Sequence, residues 1–202
     1  MAYTITPYKR DGIGNISTSG SSTTVTCATA QGFRNVAVGA IINVAAVTRT
    51  VVTKTSETVV VVNTAVDWST PVTWEYTNPV LTLTGYNYIK HSKNDKPTVT
   101  PIIHRDANIA FVTPATGVVR DIQLSGWIQS TTIDDLYKNA TILESLTDGS
   151  QCYQGTCVYA EDTPPRTMYV YVTSQSWQII NDKPNWLNVM INMVECKNRG
   201  ST

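Results

Sequence analysis

Threonine and valine crowd the chain between residues 21 and 77, in short apolar runs parted by polar residues. Side chains branched at Cβ suit the pleated, half-buried surface of a strand. The pattern predicts strands over 22–29, 40–45, 47–54, 58–62 and 72–77, separated by short polar breaks. Short strands so closely spaced imply a small barrel or sandwich. Val59, Val60, Val61 and Val62 form an unbroken apolar run, which in a strand predicts burial on both faces. The step Asn78-Pro79 closes this stretch, because proline drives its predecessor into extended backbone.

Beyond it the pattern changes. After an apolar start at 80–84 comes the charged, polar stretch 90–97, whose composition predicts an exposed loop. Strands are expected over 108–113 and 118–128, with Ile122, Leu124 and Ile128 on one face and Asp121, Gln123 and Ser125 on the other. The period then changes. Ile133, Leu136, Tyr137, Ala140 and Leu143 recur at intervals of three and four, which predicts one amphipathic helix over about 131–148. Thr131 or Thr132 can cap its start, Asp134 and Asp135 favour its positive end, and Gly149 supplies a stop.

Strands return near 151–159, 166–177 and 186–196, and a turn at 181–185 makes the last two an antiparallel pair. One face carries Met168, Val170 and Val172, then Leu187, Val189, Ile191 and Met193. The other carries Tyr169, Tyr171 and Thr173, then Asn188, Met190, Asn192 and Val194, a surface neither charged nor wholly apolar. Such a face can line a wet cavity, meet another subunit or simply face solvent.

Composition sharpens this picture. The 202 residues are 42% hydrophobic and only 15% charged, with fifteen basic and fifteen acidic side chains that cancel. No net field therefore draws the chain to nucleic acid or an anionic membrane. The first residues lack a basic segment followed by an apolar run, and no stretch reaches a membrane span, so the cytoplasm of the producing cell is the expected location. The four cysteines, Cys27, Cys152, Cys157 and Cys196, form no Cys-x-x-Cys pair. Cys27 reads as a core residue, and only Cys152 and Cys157 are close enough to bridge a hairpin.

Candidate chemistry is sparse. His91 and His104 stand in no metal or hydrolase motif, and the segment from Asp11 to Gly14 precedes no helix that could hold phosphate. Asp134 and Asp135 project about 100° apart on a helix and do not converge. No catalytic, cofactor-binding or metal site is implied, and the chain reads as a non-enzyme. Five tryptophans and ten tyrosines supply aromatic faces for packing, for subunit contacts or for stacking on sugars.

Two stretches resemble structural proteins of tailed bacteriophages. The segments 21–26, 38–42, 48–52 and 56–60 resemble a small β module of phage tail and fibre proteins, although Ala40 stands where that family often has an acid. Residues 119–127, the helix, 165–170, 174–177, 185–189 and 194–195 are similar in order to the strand–helix–strand–strand arrangement of tail tube and related baseplate ring proteins. The resemblance covers roughly residues 80–197. It implies hexameric rings whose sheets join into one barrel, stacked into a conduit through which DNA passes without specific binding.

The expectation is thus a mainly β chain: an arm over 1–20, a small β-barrel module over 21–78, and a tube-like β-sandwich or barrel with one helix over 79–202. Its expected partners are copies of itself and other tail proteins, with no membrane, and its expected place is the virion tail, assembled in the host cytoplasm. Lys90, His91, Lys93, Asp95 and Lys96 are candidates for contacts between rings, and Asn188, Met190 and Asn192 for a lumen or subunit face. The alternatives are a distal tail or baseplate ring subunit and a carbohydrate-binding adhesin module.

Overall fold

The computed structural model describes residues 3–7, 9–83, 85–94, 98–104, 107–113, 119–147, 155–159 and 166–195. Within them the chain is mainly β with one helix. In order come β1 (Tyr3–Thr6), β2 (Arg10–Asp11), β3 (Ile16–Ser17), β4 (Ser21–Cys27), β5 (Ile41–Val44), β6 (Val47–Lys54), β7 (Val59–Asp67) and β8 (Glu75–Thr77). They are followed by β9 (Leu81–Leu83), β10 (Gly85–Asn94), β11 (Thr98–His104), β12 (Ala107–Thr113) and β13 (Val119–Gln129). The chain continues through α1 (Ile133–Ser145), β14 (Gly155–Tyr159), β15 (Arg166–Ile180) and β16 (Lys183–Glu195).

The threonine- and valine-rich part forms one sheet in the order β2-β8-β5-β6-β7-β4-β3. Its two borders, β2 and β3, belong to a single run of chain, and that run closes the sheet upon itself. Gly12 N–H donates to the Trp74 carbonyl (2.8 Å), Ile16 and Val72 exchange both backbone bonds (3.0 Å each), and Thr18 N–H donates to the Trp68 carbonyl (3.0 Å). Residues expected as part of an arm thus form the seam of a small barrel. Gly12 is needed there, since a Cβ would lie 2.0 Å from the Trp74 indole, whose Nε1 donates to the Gly14 carbonyl. Ile16, Val25, Phe33, Ile42, Val60 and Trp74 fill the interior. In the valine run, Val60 and Val62 are buried while Val59 and Val61 are only half-buried, so burial on both faces does not occur. The outer face of β7 is screened by neighbouring side chains without being covered.

The second sheet runs β10-β13-β16-β15-β14-β1-β9, with every neighbouring pair antiparallel. Its borders are also consecutive in the chain, because β9 ends at Leu83 and β10 starts at Gly85. A span of two residues reaches no more than about 7 Å, so the sheet must curl. β1 inserts between β9 and β14, pairing Ile5 with Leu81 and with Cys157.

Helix α1 fills the concave side. Leu136, Ala140, Ile142 and Leu143 pack on Ile122, Leu124, Val170, Val172, Leu187, Val189 and Ile191 in one core. Burial of each such aliphatic side chain contributes about 1.5–3 kcal/mol. The faces assigned from alternation agree with this core, but the buried stripe of the helix is turned from the expected one. Ile133 and Tyr137 are 54% and 59% exposed, and Ile142, on the far flank of the stripe, is buried instead. Thr132 is the N-cap, accepting from Asp135 N–H (3.1 Å). The helix ends at Ser145, short of the expected 148, and Gly149 lies outside the described residues.

A single asparagine ties the two units together. Asn78 accepts from Ala37 N–H (3.0 Å) and donates to the Asn35 carbonyl (2.8 Å) and to Ser145 Oγ (3.0 Å). Arg10 Nη1 donates to the Ser145 carbonyl at the end of α1, a helix with no basic residue in its last turn.

A candidate assembly surface

The surface begins with three long strands whose second faces carry almost no charge. In the ladder Gln123 pairs with Asn192 and Asn192 with Ser174, Ser125 with Met190 and Met190 with Ser176, and Trp127 with Asn188 and Asn188 with Gln178. Directly opposed residues of an antiparallel sheet share a face. Asn188, Met190 and Asn192 therefore lie together, as the alternation predicted, and Met190 and Trp127 are each 38% exposed. Asn192 Nδ2 donates to Ser174 Oγ (2.7 Å), and Gln123 Nε2 approaches the Met190 sulfur (3.7 Å). These bonds tie the two amides to side chains of neighbouring strands. A shallow cavity of about 260 Å³ opens among Ser125, Ser176, Gln178, Asn188 and Met190.

The charged stretch departs from its expected form. Lys90, His91 and Lys93 stand in β10, pairing with Gln123, Ile122 and Arg120, so the exposed loop expected from residue 90 is strand as far as Asn94. Backbone hydrogen bonds to β13 outweigh the weak strand preference of these residues, and β10 is a border strand, where lysines are common because they discourage unwanted pairing. Asp95 and Lys96 lie outside the described residues, as does Cys152 of the possible hairpin disulfide. The expected turn over 181–185 is tighter: only residues 181 and 182 turn, and Ile180 pairs with Lys183.

The feature that alternation could not reveal is where the ladders stop. Strand β15 has 15 residues and pairs with β14 only over positions 166–170. Among the described residues, ten positions, 171–180, have no strand on that border. Strand β10, which has 10 residues, likewise pairs with β13 on one border alone. Among the described residues the ribbon of β11 and β12 joins neither large sheet.

Aromatic residues gather at one end of the same face. Trp127 and Trp186 stack with ring centroids 6.5 Å apart and planes 22° from parallel, and Lys183 Nζ sits 4.3 Å from the Trp186 ring centre. Among the described residues no three His, Cys, Asp or Glu side chains converge to hold a metal, and no described helix is long and apolar enough to cross a membrane. No protein-family model matches the chain, and no curated protein does so either.

Proposed function

We propose that the protein is a structural subunit that joins copies of itself edge to edge into closed rings, as the tail tube of a bacteriophage does. The observation that carries this reading is a pair of borders that no strand covers among the described residues, positions 171–180 of β15 and the outer side of β10. Strands alternate in direction through β10, β13, β16 and β15, so β15 of one copy meets β10 of the next in antiparallel sense. The two borders differ, hence the contact is head-to-tail and closes only as a ring or continues as a filament. Such joining also removes edges that would otherwise invite aggregation. The uncharged face of Gln123, Ser125, Asn188, Met190 and Asn192 then lines a surface along which a polyanion slides without adhering. In this reading the protein belongs to a virion tail, with the tail tube ahead of a distal tail or baseplate ring.

Electron microscopy and hydrogen exchange test the proposal together. Purified protein at rising concentration is expected to form rings or tubes, with alternate amides across 171–180 becoming slow to exchange as it does so. A monomer persisting at high concentration, with those amides already slow, overturns it. The stacked Trp127 and Trp186, flanked by the amides of Asn188 and Gln178, favour a second reading as a saccharide-binding module. That reading gains if the monomer binds glycans and Trp127→Ala abolishes binding.

A further inference from the structure

A cleft of about 570 Å³ opens between the barrel, the end of α1 and β15, walled by Gln31, Arg34, Asn35, Glu144, Thr147 and Gln175. Gln175 stands in the part of β15 that has no strand on its outer border among the described residues, and its Oε1 is buried without a hydrogen-bond partner. A buried amide oxygen left so is destabilising, which marks the place of a missing donor. Arg34 and Glu144 cancel in charge, Gln31, Asn35, Thr147 and Gln175 are uncharged and polar, and Ile13 and Ala30 add an apolar part to the wall. A single ion finds no net attraction there, whereas polypeptide, rich in paired donors and acceptors, is well matched.

We infer that this cleft receives β10 of the adjacent copy, so that the barrel module acts as a clamp over the joint between subunits. The inference rests on the ring reading above and adds to it a task for residues 31–35, which belong to no strand of the joint. Main-chain pairing along 171–180 provides the bulk of the contact, as in other cases where a strand is added to an open sheet border. Gln175 then accepts from the incoming strand, and the loop carrying Gln31, Arg34 and Asn35 closes over it. Because the barrel is fastened to α1 through Asn78 and Arg10, the clamp is rigid with respect to β15.

A photoreactive benzoylphenylalanine incorporated in place of Arg34 tests this in assemblies mixed from isotopically light and heavy chains. Light-to-heavy cross-links landing within residues 85–94 are expected. Rings that form normally but cross-link elsewhere, or only within one chain, overturn the clamp and leave the ring standing. Absence of rings in the unmodified protein overturns both. In parallel, Gln175→Met is expected to leave the monomer folded and to raise the concentration needed for assembly about tenfold. An unchanged concentration counts against the clamp even where the cross-links agree.

Discussion

Ala45 and Ala46 occupy the two central positions of the hairpin between β5 and β6, where Val44 pairs with Val47, and both have left-handed backbone, at φ 46° and 71°. This is the two-residue turn whose twist matches the flanking strands, and it favours asparagine followed by glycine. Alanine there sets Cβ against the neighbouring carbonyl. The replacement Ala46→Gly is therefore expected to stabilise the fold by about 1 kcal/mol, raising the midpoint of thermal unfolding by roughly 2–4 °C. An unchanged or lower midpoint in a calorimetric scan would show that the turn is relaxed. The strands on either side were legible from their β-branched residues, but the turn was not, since neither alanine carries a turn signal. A correct pattern of strands can thus coexist with a strained connection, because pairing across β5 and β6 outweighs what the turn costs.

At the level of one element, the start of α1 was readable and its end was not. The run of Thr131, Thr132, Asp134 and Asp135 carries the chemistry of a helix start within four residues of itself. The Thr131 hydroxyl donates to the Asp135 carboxylate (2.5 Å), and with Thr132 it holds that carboxyl below its usual value of 3.8. A carboxyl lowered on folding contributes stability above its unfolded value, and that contribution is lost as pH falls through the lower, folded one. The stability difference between the protein and its Asp135→Asn variant is therefore expected to be full at neutral pH and to shrink in acid, as followed by urea unfolding at a series of pH values. A difference independent of pH would remove Asp135 from the cap. Thr132→Ala should cost about 1 kcal/mol. The helix end depends instead on a distant arginine, Arg10, reaching the Ser145 carbonyl, a contact that no local spacing announces. The same limit applies to the candidate surface. Alternation placed Asn188, Met190 and Asn192 on one face, whereas the pairing of β14 with only positions 166–170 of β15, among the described residues, has no local signal, and the cleft at Gln175 depends on a loop some 140 positions earlier in the sequence.

For the whole molecule, the question is what makes two separately packed cores behave as one body. The barrel core and the helix-backed core share no cluster except through Ala37, which is grouped with the second although it lies in a barrel loop. Asn78 holds that loop, with the amide bonded on both sides of the junction and only 5% exposed. Sequence reading found a break here from the proline that follows, but proline sets backbone direction only and says nothing of the asparagine as a fastener. Removing it by Asn78→Ala leaves the buried Ala37 N–H without its acceptor, at a cost of about 1–3 kcal/mol. The consequence should exceed that loss. With Asn78 present, heat is expected to unfold both cores in one transition whose calorimetric and van't Hoff enthalpies agree; with alanine in its place the transition should broaden or split, and the assembly midpoint should rise as the clamp loosens. A single sharp transition in both proteins would mean that the strands β1, β2 and β3, threaded from one sheet into the other, are sufficient to couple the cores. Asn78 would then serve local order alone.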